Sequence, residues 1–296
     1  MKIFTGILVS LLCVSLCCAG EVDVFELSKR GTPSQLKEAL KAGAVFNVSR
    51  DYDASNDDAE NDEESLFSWG ETPLHLAAAY NHNPDSVKFL ISQGLDVNAE
   101  GENGLGISGT PLSCAMWHDN YKAAKVLLEA GADPNYWSMV WFFCGTAFHD
   151  VALITESSAD IRFMIEALTK AGGNINVHEE FDSEERQEFI DDLKAGGYDS
   201  LTLADGKINP EDPFNIGDLR LSRGGILSAE SSCTPLIYAV LYDNPDAVNI
   251  LLDYGADANI RSIEGMTAFD YAKHLPKDSK LRKSPAYQKL KKATRN

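Results

Sequence analysis

The feature that most constrains this chain is a short segment that recurs at the end of an apolar stripe. Gly131-Ala132-Asp133-Pro134-Asn135 is echoed by Gly255-Ala256-Asp257-Ala258-Asn259. Gly94-Leu95-Asp96-Val97-Asn98 and Gly172-Gly173-Asn174-Ile175-Asn176 are close variants, and Gly43-Ala44-Val45-Phe46-Asn47 is a fainter one. Counting back seven, four and three residues from the Gly gives Val87, Leu90 and Ile91; Ala124, Leu127 and Leu128; Val248, Leu251 and Leu252; and Leu36, Ala39 and Leu40. Spacings of three and four place each trio on one helical face. The Gly then ends the helix, because it takes positive φ without a Cβ clash.

A second segment opens each unit: Thr72-Pro73-Leu74-His75, Thr110-Pro111-Leu112-Ser113, Thr146-Ala147-Phe148-His149, Thr234-Pro235-Leu236-Ile237 and Thr267-Ala268-Phe269-Asp270. Thr can cap the first orphan amides of a helix, and Pro costs nothing at the first helical position. The turn Asn83-Pro84-Asp85 recurs unchanged as Asn244-Pro245-Asp246. On these residues the chain resembles the ankyrin-repeat family. The matching signature is a Thr-Pro-Leu-His start, two short helices and a Gly-Ala-Asp-x-Asn end, over residues 22–49, 69–177 and 232–275.

The resemblance implies an all-α solenoid of about five helix–turn–helix units that bind other proteins through loop fingers and a concave groove. Each unit needs its neighbours to bury its stripe. The resemblance also implies that the imidazoles of His75 and His149 tie adjacent repeats together. The Thr-to-Thr steps of 38, 36, 88 and 33 residues put one large, loop-rich insertion in the fourth unit. The chain then divides into a signal peptide (1–20), an N-terminal capping repeat (21–49), an acidic loop (50–68), repeats (69–177), the insertion (178–231), a last repeat with C-terminal cap (232–275) and a basic tail (276–296).

Lys2, a short apolar core and the small pair Ala19-Gly20 read as a secretory signal. The expectation is export, to the periplasm or the medium, and a bacterial source. A lipid anchor on Cys13, Cys17 or Cys18 is the minor alternative, because Leu12, Leu16 and Cys17 stand where a lipobox wants a small residue. No other stretch could span a membrane. Beyond the leader, Cys114, Cys144 and Cys233 are too few and too scattered for a disulfide framework.

Net charge is −19, and it is uneven. From Lys273 onward nine Lys or Arg face the single acid Asp278, so this tail carries +8 and the rest −27. An acidic body argues against nucleic acid and favours basic or mixed-charge protein partners. The null role for the tail is a solubilising cap; the alternative is contact with an acidic partner or lipid head groups.

No catalytic constellation emerges, and no cofactor or metal site is expected. Asp51, Asp53, Ser55 and Asp57 have the spacing of a calcium loop, but Asn56 and Asp62 stand where Gly and Glu belong. Cys144 near His149-Asp150 suggests a thiol nucleophile, yet His149 falls at the structural His75 position. The distinctive segment is the finger Tyr136-Trp137-Ser138-Met139-Val140-Trp141-Phe142-Phe143, rich in residues that make binding hot spots. The residues expected to contact a partner are therefore Tyr136, Trp137, Trp141, Phe142 and Phe143, with Trp69 and Trp117 nearby. Two readings stay open for the finger: burial against the insertion, or one edge buried and one available. Alternatives to an adaptor are a calcium-binding or enzyme-associated accessory module, and a secreted effector acting on a host protein.

Overall fold

A computed structural model describes residues 22–49, 70–102, 108–140, 143–155, 157–178, 233–262 and 265–294. The leader, the acidic loop 50–68 and nearly all of the insertion lie outside these residues. The chain separates into two compact units, 1–143 and 144–296.

In the first unit helices come in pairs: α1 (Val24–Arg30) with α2 (Pro33–Lys41), α3 (Pro73–Tyr80) with α4 (Pro84–Ser92), and α5 (Pro111–Trp117) with α6 (Tyr121–Glu129). First helices stack on first helices, α1 on α3 on α5, and second on second, α2 on α4 on α6. Short strands β1 (Gly101–Glu102), β2 (Ser108–Gly109) and β3 (Ser138–Val140) form an antiparallel ladder in the fingers.

The second unit begins with β4 (Phe143–Gly145). It pairs α7 (Ala147–Val151) with α8 (Ser158–Lys170) and α9 (Pro235–Leu241) with α10 (Pro245–Asp253), then adds α11 (Ala268–His274), α12 (Lys280–Lys283) and α13 (Pro285–Ala293). Here α7, α9 and α11 stack in one layer, and α8, α10 and α13 in the other.

The recurring segments build these pairs as expected. Thr110 and Thr234 accept from the amides of Ser113 and Ile237, satisfying helix-start donors. Gly43, Gly94, Gly131, Gly172 and Gly255 all have φ between 86° and 101°. After each Gly, the side chain of Asp96, Asp133, Asn174 or Asp257 accepts the amide two residues on, closing the turn at 2.8–3.0 Å. Positions seven and four before the Gly form the core: Leu36, Val87, Leu90, Ala124, Leu127, Val248 and Leu251 are fully buried. The position three before it lies at the margin, and Leu40 is 38% exposed there.

Gly70 is held by a close approach rather than by a helix end. Its φ is +70°, and an added Cβ would stand 2.5 Å from the Glu100 carbonyl oxygen. Gly43 has φ +101° with open space around it. Gly70→Ala should therefore lower the unfolding free energy by about 2–3 kcal/mol, and Gly43→Ala by about 1 kcal/mol. Urea melts of the two variants check this; equal losses would mean the close approach is relaxed at no cost.

The repeats are joined by side-chain amides. Asn81 Nδ2 donates to the carbonyls of Ser28 and Gly31, both at 2.9 Å. Asn120 Nδ2 donates to those of Ala78 and Asn81 at 2.9 and 3.0 Å. In the second unit Asn244 Nδ2 donates to those of Ala152 and Ile154 at 3.0 and 2.7 Å. Each amide thus satisfies carbonyls where the preceding unit's first helix ends.

The tail beyond residue 276 is part of the fold rather than a solvated appendage. Leu281 and Leu290 are fully buried, and Phe269 and Tyr287 pack at 5.4 Å. Pro285 breaks nothing, because it opens α13 at a position where its missing N–H has no role. Asp243, at φ +50°, accepts the Ser279 hydroxyl and the amides of Lys280 and Leu281, fixing the start of α12. Lys289 reaches Asp253 at 2.6 Å. The basic residues therefore cap the acidic last repeat.

Candidate partner-binding finger

The first unit's finger is built by the ladder. Gly101 faces Gly109, Glu102 faces Ser108, and Ser108 faces Met139. Below it, Asn98 accepts the Asp133 amide at 2.8 Å and donates to the Gly131 carbonyl at 3.3 Å, so one finger is pinned to the next. These contacts deliver Tyr136 and Trp137, both half-buried, to the base of β3. Tyr136 shares a hydrogen bond with the Ser108 side chain. Burial, with the Glu100 and Glu102 carboxylates, raises its phenol above the ordinary value, against the opposing effect of Ser108. Glu100 and Glu102 are exposed.

Of the residues expected to meet a partner, the finger brings Tyr136 and Trp137 together. Trp117 is half-buried at the end of α5, away from the ladder in sequence. Trp69, Trp141 and Phe142 lie outside the described residues; Phe143 lies in β4, and its side chain is outside the description. The carboxylates of Glu100 and Glu102 were not singled out by sequence, although an acidic pair two residues apart just after a Gly-x-Asp-x-Asn end is visible there. A second cluster was also missed. Lys29 Nζ sits 5.8 Å from the Tyr80 ring centre, and Tyr80 packs on His118 at 4.7 Å. Tyr80 and His118 each follow their unit's Thr by eight residues, a register signal that could have found them.

The thiol-nucleophile alternative finds no support in the imidazole it needs. Thr146 N–H donates to His149 Nδ1 at 3.0 Å, and His149 Nε2 lies 2.8 Å from the Cys233 carbonyl in the next repeat, so the proton sits on Nε2. Both nitrogens are committed. Burial lowers the ring to about 4, against the opposing Cys233 bond. His75 is likewise lowered to about 4 by burial, with the carbonyls of Gly109 and Ala99 opposing. Burial raises the Cys114 thiol well above its ordinary value, with Glu71 adding to it. Cys114 and Cys233 are buried free thiols. Among the described residues there is no cluster of three metal-ligating side chains, and no helix is long and apolar enough to cross a membrane. The calcium-like spacing at Asp51 to Asp62 lies outside the described residues.

Family models of ankyrin repeats match residues 28–136 and 221–272, which together span more than half of the chain. This chain is an ankyrin-repeat protein. Its ankyrin region is similar to the putative palmitoyltransferase ZDHHC13 of Danio rerio, at 27% identity over 86% of this chain and 32% of that protein. It is also similar to the mitochondrial disaggregase of Homo sapiens, at 31% identity over 67% of this chain and 24% of that protein. The chain thus spans a quarter to a third of these relatives. Both are vertebrate proteins, which lends the expectation of a bacterial source no support. Among solved structures, the complex of the Bd0816 predatory endopeptidase of Bdellovibrio bacteriovorus with immunity protein Bd3460 matches at a TM-score of 0.49 and 18% identity. That match covers 90% of this chain and 96% of that one. The ankyrin repeats indicate a protein-interaction scaffold.

Proposed function

We propose that this ankyrin protein is an exported, non-catalytic adaptor that holds a protein partner through its fingers. The observation that carries the reading is the finger of the first unit, where half-exposed Tyr136 and Trp137 stand on a ladder pinned by Asn98. Ladder and pin fix the aromatics before binding, so little ordering entropy is left to lose when a partner arrives. Aromatic anchors of this kind concentrate binding energy. Export is supported by the leader-like residues 1–20. The absence of catalysis is supported by the commitment of both His149 nitrogens. Neither palmitoyl transfer nor disaggregation is taken over from the relatives, because the similarity covers so little of their length.

The test is affinity capture with the mature chain, residues 21–296, from the exported fraction of its own cells. One stoichiometric protein is expected, lost when Trp137 and Trp141 are both changed to Ala while thermal stability is unchanged. Undiminished capture by that variant removes the finger from the reading, and no captured protein removes the adaptor role itself.

A further inference from the structure

The exposed edge of the finger carries a more specific chemistry than a generic apolar anchor. Glu102 stands opposite Ser108 in the ladder, and Ser108 holds the Tyr136 hydroxyl. Glu100 lies two residues earlier on the same side of the turn. Both carboxylates are exposed and close enough for their charges to act on the Tyr136 hydroxyl. Among the described residues neither has an ion-pair partner. Elsewhere on the first unit, acids near a base are paired, as Glu26 is with Lys29 and Asp85 with Lys88. The result is two unpaired acids beside a half-buried phenol and a half-buried indole.

We infer that this edge receives an arginine side chain from an extended basic segment of the protein partner. The inference rests on the adaptor reading above and names the chemistry the finger selects. A guanidinium is planar. It can accept carboxylate oxygens along its edge while its face lies on an aromatic ring. Two acids flanking Tyr136 and Trp137 offer both contacts, and an ammonium could use only part of them. The acidic body, −27 outside the tail, favours a basic segment from a distance as well. The short strands limit the occupant to an extended stretch laid along the finger.

The probe is a fluorescein-labelled peptide of alternating Gly and Arg, titrated into the mature chain and followed by anisotropy, with an alternating Gly-Lys peptide beside it. The Arg peptide is expected to bind more tightly than the Lys peptide. Glu100→Gln with Glu102→Gln should weaken it by about tenfold. Glu38→Gln with Glu129→Gln removes the same charge from exposed sites off the finger, and should weaken it by no more than about twofold. Equal weakening by both pairs would show diffuse attraction and overturn the inference, as would no binding at millimolar peptide. Either failure leaves the adaptor reading to its own capture experiment, in which a partner insensitive to the Glu pair would still be a partner. Thermal melts of both double variants confirm that the finger is folded.

Discussion

Asn120→Ala should lower the unfolding free energy by about 3 kcal/mol. The side-chain amide is buried, and its Nδ2 satisfies two carbonyls of the preceding repeat at once, those of Ala78 and Asn81. Truncation removes two hydrogen bonds, worth about 1 kcal/mol each, and leaves buried acceptors without a donor at further cost. Asn98 makes a similar double contact to Gly131 and Asp133, but in the exposed finger. Water can replace those bonds, so Asn98→Ala should cost no more than about 1 kcal/mol. Urea denaturation of both variants measures the difference. Equal losses would mean that burial of the joint contributes nothing beyond the bonds themselves.

Acidification should unfold the protein through its imidazoles. His75 and His149 are held to about 4 by burial, from an ordinary 6.5. A depressed folded-state value means that the neutral ring is favoured by folding. That stabilisation is complete above 6.5 and is lost as pH falls through about 4. The gap corresponds to about 3 kcal/mol for each ring. Asp150 acts in the opposite sense. Burial raises it to about 7, so its carboxyl favours folding when protonated, and that contribution fades as pH rises from 3.8 to about 7. Two rings outweigh one carboxyl over this window, so net stability should fall on going from pH 7 to pH 4. His149→Gln should make the acid limb of the stability curve shallower by about 3 kcal/mol. Asp150→Asn should make it steeper and raise stability at pH 7. A curve unchanged by His149→Gln would show that the ring already titrates normally in the fold.

Much of the fold was legible because its signals are local. A Gly that must take positive φ, a Thr at a helix start and apolar residues three or four apart each act within one turn. Joints between repeats are not local, and there the sequence misled. The tripeptides Asn83-Pro84-Asp85 and Asn244-Pro245-Asp246 are identical, yet they differ in role. Asn244 both caps α10 and donates to the preceding repeat, whereas Asn83 only caps α4 and Asn81 makes the inter-repeat bonds. The reason is spacing: Asn81 follows Thr72 by nine residues, and Asn244 follows Thr234 by ten. The tail was misjudged as a solvated appendage for a related reason. Its Leu281 and Leu290 are sparse among Lys residues, and only the surface of the preceding helices makes them a buried face.

The finger was half legible. Its aromatics stand out in any polar loop, and Tyr136 and Trp137 do reach its edge. That Glu100 and Glu102 gather around Tyr136 depends on strand pairing across more than thirty residues, which no pattern in the sequence encodes.

The Asn joints have a polarity. Every one of them points its donor toward the N-terminus, and none returns the favour. Such a stack has a grammar in which each unit reads only the unit before it. α1 supplies the first acceptors at one end, and at the other Asp243 captures α12, so the row terminates on its own chain. A unit excised with its own Asn and its own acceptors should leave two neighbours that still fit. A cut that separates an Asn from the carbonyls it reads should not be tolerated. The length of such an array can therefore change over evolution in whole words but not in letters.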